Sequence, residues 1–164
     1  ITALSDVFKG FAAVWLARYF LAPQLSDDWF PWLTVVAGVM AVVGHNWSIF
    51  LGWRGGAGTG PNVGWATAVW LPMFPISWIV MLIFLIGIGM ASVASLAMAA
   101  VIPVAFLILY VSGTSGYNES IAYMIGGMAS AAVVVWALRP NIRRLLDGEE
   151  PIVGPRARAL ERKQ

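Results

Sequence analysis

Charged side chains are almost missing from the middle of this sequence. Between Trp29 and Leu138, only Arg54 and Glu119 carry a formal charge at neutral pH. Water-soluble domains carry ionised side chains at about a quarter of their positions, so this stretch predicts a protein that lies in lipid. The apolar share of 60% and the mean hydropathy of +0.79 agree. We therefore predict an all-α, polytopic membrane helix bundle.

The apolar residues divide into six segments, at residues 7–22, 30–44, 63–74, 76–90, 93–111 and 121–138. We expect six transmembrane segments. Several are shorter than the about 20 residues that a lone membrane-spanning helix needs, so the short ones are expected to tilt little or to lie inside the bundle. The bundle domain is predicted over residues 1–146 and ends in an amphipathic surface helix. Residues 147–164 are predicted to form a polar, mobile tail.

Basic side chains are concentrated on one side of the predicted topology. The glycine-rich connection after the second segment holds Arg54, and seven basic residues follow Leu138. The connections on the other side hold acidic residues only. The positive-inside rule therefore places the glycine-rich connection and both termini in the cytoplasm, with membrane lipids as partners. Arg18 lies near the other end of the first segment and is expected to snorkel or to pair.

Composition excludes several kinds of site. The chain has no cysteine and one histidine, so we expect no disulfide, no thiolate chemistry and no protein-built zinc site. No cofactor or metal is predicted. Basic and aromatic residues do not alternate, so no nucleic-acid partner is expected. No acidic side chain lies between Asp28 and Glu119 to bind an ion within the membrane, which argues against an ion-coupled transporter.

Glycines are dense after the second segment, at Gly52, Gly55, Gly56, Gly58, Gly60 and Gly64. Glycine lets an anion approach main-chain N–H groups, and a helix starting at residue 61 or 62 adds the partial positive charge of its N-terminus. The stretch is not a Walker loop, because the required lysine followed by serine or threonine is missing. An anion-binding loop and a tightly turned connector between helices both remain open.

Several cationic side chains lie on the predicted cytoplasmic side. Lys9 is either a ligand-facing ammonium or the local ion-pair partner of Asp6, three residues before it. His45 is either a catalyst or an interfacial hydrogen-bond partner, and Arg54 either clamps a phosphate or binds lipid headgroups. The basic run after the last apolar segment is either part of the same site or a simple inside anchor, and it comprises Arg139, Arg143 and Arg144. A shared phosphate site is the interpretation that accounts for all of them.

Four stretches resemble, in order and spacing, the PlsY family of bacterial membrane acyltransferases. They are Asp6-Val-Phe-Lys9-Gly10, Gly44-His45 leading to Phe50-Leu-Gly-Trp-Arg-Gly-Gly-Ala-Gly58, Ser92-Val-Ala-Ser95-Leu, and Arg139-Pro-Asn141-Ile-Arg-Arg144-Leu-Leu-Asp-Gly148-Glu149. The resemblance implies a seven-helix protein of the bacterial inner membrane with a cytoplasmic-facing site. It implies acyl transfer from acyl phosphate to glycerol 3-phosphate, giving lysophosphatidate. Six segments fit if the first family helix precedes Ile1.

The resemblance also implies roles for individual residues. His45 and Asn141 would be catalytic. The residues that would bind substrates are Lys9, Arg54, Gly55, Gly56, Gly58, Ser92, Arg139, Arg143 and Arg144. Acyl phosphate is already activated, so positioning of the hydroxyl and stabilisation of negative charge suffice without an enzyme nucleophile, a metal or a cofactor.

The sequence departs from the family pattern at four points, one of which is Thr59-Gly-Pro-Asn62 in place of the usual Val-Ala-Thr. The family's Ser-Gly-Asn-x-Gly-Ala-Thr-Asn segment is absent, its Gly-Gly-Lys-Gly has Ala57 in place of lysine, and Leu138 stands where a histidine is frequent. Two functions therefore remain open. One is an acyltransferase, and the other is a catalytically degenerate membrane scaffold or accessory subunit, whose partners would be other membrane protein subunits.

Overall fold

The computed structural model describes residues 2–53, 55–114, 121–154 and 156–157. Within them the chain forms seven α-helices and no β-strand. The helices are α1 (Thr2–Leu21), α2 (Phe30–Asn46), α3 (Thr59–Val69), α4 (Met73–Gly87), α5 (Ala91–Val111), α6 (Ala122–Ala137) and α7 (Arg139–Leu146). The all-α fold is confirmed for this part of the chain. Each of the six apolar segments corresponds to one of α1 to α6, and α7 is the surface helix.

Membrane crossing can be judged by helix length and composition. Among the described residues, two stretches are long and apolar enough to cross: Asp27–Leu51, which contains α2, and Ala91–Val111, which is α5. A third is obtained if α6 and α7, which meet at a bend of 64°, count as one span. α4 is apolar but shorter. Two or three strongly apolar spans are thus present, and the number six stays a prediction.

α3 lies at the centre of the bundle and packs most extensively on α1. Eight of its 11 residues are buried, so this short helix lies inside the bundle, as its length predicts. The fully buried ring of Trp65 stacks on Phe106 of α5 at a centroid distance of 5.7 Å. The helix ends at Val69, because the next residue is extended and Pro72 follows.

Gly60 lies in α3 and not in the glycine-rich connection, and Gly64 lies in α3 as predicted. α3 begins at Thr59, slightly earlier than predicted. A Cβ atom added to Gly60 would lie 2.6 Å from the Cβ atom of Asp6, and one added to Gly64 would collide with the main chain of Val7. These glycines therefore allow α1 and α3 to cross closely, as small residues do between membrane helices. The term glycine loop is used below for residues 55–58 alone.

Arg18 joins three helices at the end of the bundle away from the glycine loop. Its Nε donates to the Thr34 hydroxyl at 3.1 Å, and its Nη1 donates to the carbonyl of Ala68 at 2.9 Å. The guanidinium lies 5.0 Å from the ring centroid of Phe30. Of the two expectations for Arg18, pairing is confirmed. The charge satisfies a carbonyl in the last turn of α3, where a cation also complements the helix dipole.

The tail is docked over its described part, so the expected mobility is wrong there. Glu150 is buried, and the Val153 N–H donates to the carbonyl of Gly89 at 2.6 Å. The Arg156 guanidinium donates to the carbonyl of Gly87 at the end of α4. The tail thereby connects α7 to the turn between α4 and α5, at the same end of the bundle as the glycine loop.

Candidate functional site

A carboxylate and two basic side chains form a cluster where α1 and α2 meet the glycine loop. Asp6 and Lys9 lie three residues apart on α1, and Lys9 Nζ is 3.0 Å from Asp6 Oδ1. His45, in the last turn of α2, places its Nδ1 at 3.7 Å from the same oxygen. The Lys9 side chain is 61% exposed, whereas those of Asp6 and His45 are mostly buried. We call Asp6, Lys9 and His45 the Asp6 cluster.

The glycine loop lies directly against His45. A Cβ atom added to Gly56 would lie 2.5 Å from His45 Nε2, and one added to Gly55 would collide with the carbonyl of His45. Gly58 has a φ of +75° and caps the start of α3 with no side-chain hydrogen bond. The loop therefore needs glycine for close approach and for its backbone conformation. It is a tight connector, and it also brings main-chain groups beside the Asp6 cluster.

Two cavities meet at Asp6, His45 and Gly56. The first, which we call the cleft, has a volume of about 810 Å³ and lies between α1 and α2; its lining includes Lys9 and Ser48. The second, which we call the chamber, has a volume of about 270 Å³ and lies between α1, α4 and α5. These three residues lie between the cleft, whose lining includes the cation Lys9, and the chamber, whose described lining includes no lysine or arginine.

Arg139 borders the glycine loop from the other side. It lines a cavity of about 200 Å³ together with Gly55 and Gly56. Its Nε donates to the carbonyl of Trp136 at 2.9 Å, and its guanidinium stacks 3.3 Å from the ring centroid of that residue. Arg139 and Arg143 also line an open groove. Lys9 and Arg139 thus approach the same loop from two sides, whereas Arg54 lies outside the described residues.

Glu150 contacts three of the candidate site residues, and the sequence does not identify it as their partner. Its side chain is 4% exposed and accepts hydrogen bonds from Asn141 Nδ2 at 3.2 Å and from Arg144 Nε at 3.0 Å. The Ser92 hydroxyl lies beside the carboxylate without full hydrogen-bond geometry. Asn141, Arg144 and Ser92 are therefore brought together by Glu150. The feature of the sequence that could indicate this contact is Gly148, because a glycine after a helix often marks a reversal of the chain. Gly148 has a φ of +74°, and the chain turns back there after α7.

The environment of Glu150 favours its ionised form. The Ser92 hydroxyl, the Asn141 amide and the charge of Arg144 lower the pKa of this carboxyl below its ordinary value of 4.5, although burial alone would raise it. A carboxyl with a lowered pKa stabilises the fold above its unfolded-state pKa, and this stabilisation is lost as the pH falls through the folded-state pKa.

We therefore expect the Glu150 contribution to leave the thermal midpoint of the detergent-solubilised protein unchanged from neutral pH down to about 4.5, and to lower the midpoint as the pH falls below that value. In Glu150→Gln, the midpoint at neutral pH is expected to be lower and this part of its pH dependence to disappear. Glu149→Gln is the matched control, because Glu149 is exposed. An unchanged pH dependence in Glu150→Gln would show that the stabilisation comes from other groups.

Two of the departures from the family pattern, Ala57 and Leu138, lie in different surroundings. Ala57 lines the chamber beside Asp6 and His45. Leu138 is 6% exposed and belongs to the hydrophobic core at the corner between α6 and α7. Within the described residues, no three histidine, aspartate or glutamate side chains come together as a metal site requires.

Comparisons with known proteins agree with one another. A family model described as glycerol-3-phosphate acyltransferase matches residues 1–148. A protein named glycerol-3-phosphate acyltransferase from Parasynechococcus marenigrum is 38% identical over 161 residues, which cover 96% of this chain and 67% of that protein. One with the same name from Rubrobacter xylanophilus is 35% identical, with coverage of 96% and 71%.

Solved structures extend the likeness to three dimensions. A crystal structure of PlsY, an integral membrane glycerol 3-phosphate acyltransferase in its lysophosphatidic acid form, superposes with a TM-score of 0.72. It is 27% identical, and the match covers 91% of this chain and 69% of that one. The glycerol 3-phosphate form of PlsY gives the same TM-score and identity.

Proposed function

Because the chain belongs to the glycerol-3-phosphate acyltransferase family, we propose that it transfers an acyl group from acyl phosphate to glycerol 3-phosphate and releases lysophosphatidate. PlsY, the solved protein with which this chain superposes, is an integral membrane protein. We further propose that this chain lies in the bacterial inner membrane with its glycine loop and tail in the cytoplasm. The distribution of basic residues supports that orientation.

One observation carries the proposal: cationic side chains from distant parts of the sequence approach the same glycine loop. Lys9 on α1 and Arg139 at the start of α7 each line a cavity together with Gly55 and Gly56, while His45 lies directly against the loop. Both substrates carry phosphate, so a site of this kind needs positive charge and N–H donors close together. Arg143 adds positive charge at the same end, whereas the charge of Arg144 is paired with Glu150.

The reaction needs only positioning and charge stabilisation. A hydroxyl oxygen of glycerol 3-phosphate attacks the acyl carbonyl carbon, the bond from that carbon to the phosphate oxygen breaks, and the hydroxyl proton leaves with the released phosphate. We assign to His45 the orientation of the attacking hydroxyl. Lys9 and Arg139 would stabilise the phosphate charges as they shift, which is where preorganised donors contribute most to rate. Asn141 donates to Glu150 and lines neither the cleft nor the chamber, so its catalytic role is supported by the family resemblance alone.

A second candidate is a non-catalytic scaffold or accessory subunit. It is favoured by Ala57, which provides no ammonium beside the loop, and by Leu138, which is a core residue at the position of a frequent family histidine. The bundle packing would be kept while the chemistry is lost. The same assay separates the two candidates.

The test is the formation of lysophosphatidate and inorganic phosphate by the purified protein with acyl phosphate and glycerol 3-phosphate. Lys9→Met is expected to lower kcat/KM for acyl phosphate about tenfold, because a largely exposed cation contributes modestly to stabilising the phosphate charge. Lys9→Arg keeps the charge and should retain most of the kcat/KM. A folded protein that forms no lysophosphatidate would favour the scaffold.

A further inference from the structure

The chamber beside the Asp6 cluster has a polar mouth and an apolar interior. At the mouth lie Asp6, His45 and the glycine loop. The interior wall is formed by Trp78 and Met81 on α4 and by Met98 on α5. No cation belongs to its described lining. A cavity of this kind suits an uncharged, flexible ligand part that ends in a polar group at the mouth.

Helix geometry orders these residues by depth. α4 and α5 are antiparallel and are joined by the short turn at the loop end, so depth can be counted from that turn. At a rise of 1.5 Å per residue, Ser95 lies about 6 Å, Met98 about 10 Å and Trp78 about 13 Å from it. Asp6 lies about 6 Å from the start of α1 by the same count. The chamber thus extends from the Asp6 cluster towards the middle of the bundle.

The cleft and the chamber differ in charge but share Asp6, His45 and Gly56. An acyl phosphate has the matching asymmetry, because its carbonyl joins an anionic phosphate to an apolar chain. Burying the phosphate in an apolar cavity without a cation would be costly, whereas burying the chain there is favourable. The phosphate therefore belongs on the side of Lys9, and the reacting carbonyl belongs at the junction.

We propose that the chamber receives the acyl chain, and that Ser95, Met98 and Met81 determine which chain lengths react well. The inference rests on the proposed function for the identity of the ligand. The methionine side chains are flexible and polarisable, so they can pack around chains of different shape. Ser95 lies nearest the mouth, and Met98 lies deeper on the same face of α5, three residues further on.

Two substitutions are expected to shift chain preference in opposite directions. Ser95→Leu fills the shallow part of the chamber and should raise the ratio of kcat/KM for a short over a long saturated acyl phosphate about tenfold, since one methylene in an apolar pocket changes specificity by about 10–200-fold. Met98→Ala deepens the chamber and should shift the ratio towards long chains by a similar factor. Met128→Ala is the matched control, because Met128 on α6 is 58% exposed and should leave the ratio unchanged.

A second measurement does not depend on turnover. A non-hydrolysable acyl phosphonate with a photoreactive diazirine at the chain end is bound to the protein and irradiated, and the labelled peptides are identified. Labelling of α4 and α5 near Met81 and Met98 supports the proposal, even in a protein that makes no lysophosphatidate, which would defeat the proposed function alone. Labelling of the cleft near Ala13 and Ala41, or a preference that moves equally in Met128→Ala, would overturn it. This readout also covers the case in which Met98→Ala fails to fold.

Discussion

Gly64→Ala is expected to destabilise the bundle strongly, by about 3 kcal/mol, which is the upper end of the usual range for overpacking, or to prevent folding. The added methyl group would collide with the main-chain carbonyl of Val7 and would lie 2.9 Å from the backbone nitrogen of Phe11. Neither atom can move without shifting α1, which carries Asp6 and Lys9. The measurement is the thermal midpoint of the detergent-solubilised protein, followed by size-exclusion chromatography after heating.

Gly44→Ala is the matched control for this experiment. Gly44 lies within α2, and a Cβ atom there meets no heavy atom within 4 Å. Alanine is more favourable than glycine inside a helix by about 1 kcal/mol, so the midpoint should stay the same or rise. If both variants lowered the midpoint equally, the close crossing of α1 and α3 would not be the reason.

Ala57→Lys is expected to raise kcat/KM by about 10–100-fold. Ala57 lines the chamber close to its polar mouth, beside Asp6 and His45. A hydrogen bond to a charged group contributes about 1.5–3 kcal/mol net, and each 1.36 kcal/mol of transition-state stabilisation is about tenfold in rate. The measurement is steady-state formation of lysophosphatidate at several glycerol 3-phosphate concentrations.

The control is Ala57→Met, which adds length without charge. It should not increase kcat/KM, because the expected gain comes from the ammonium. Equal effects of lysine and methionine would assign the change to packing in the chamber. A variant with lysine that binds substrate but reacts no faster would place the missing charge elsewhere.

The helices are predictable because their apolar runs are long and are interrupted by proline, glycine and polar residues. The start of α3 is predicted at residue 61 or 62, but the helix begins at Thr59. Gly60 belongs to the predicted glycine-rich connection but is helical, and α1 passes both Gly60 and Gly64 so closely that no side chain fits at either position. A glycine that allows helices to pack and one that allows a turn look the same in a sequence, since both reflect the absence of a Cβ atom.

Contacts within one element are also predictable from sequence. The ion pair between Lys9 and Asp6 follows from their spacing on a helix and is confirmed at 3.0 Å. Contacts between elements are not predictable in this way. His45 reaches the same carboxylate from α2, and Arg18 finds its acceptor on α3. Nothing in the local sequence of either residue identifies that partner.

The docked position of the tail is not predictable from composition. Asn141 and Ser92 belong to two separate motifs of the family resemblance. Glu150, which lies between their side chains, belongs by sequence to the predicted polar tail. Its partners come from α5 and α7, and the chain returns to them only because of the reversal at Gly148. Charged residues near a terminus usually favour solvent. Composition therefore predicts an exposed Glu150, whereas the residue is buried beside Ser92, Asn141 and Arg144.

The short central helix has a consequence for how the protein is made. α3 has 11 residues, about half the length that spans a bilayer, and it carries polar side chains such as Asn62 and Thr67. Such a segment does not partition into lipid by itself, since polar residues oppose insertion and its main-chain ends would lack partners. Its place in the bundle therefore depends on packing against α1 and α2, which precede it in the sequence and leave the ribosome before it.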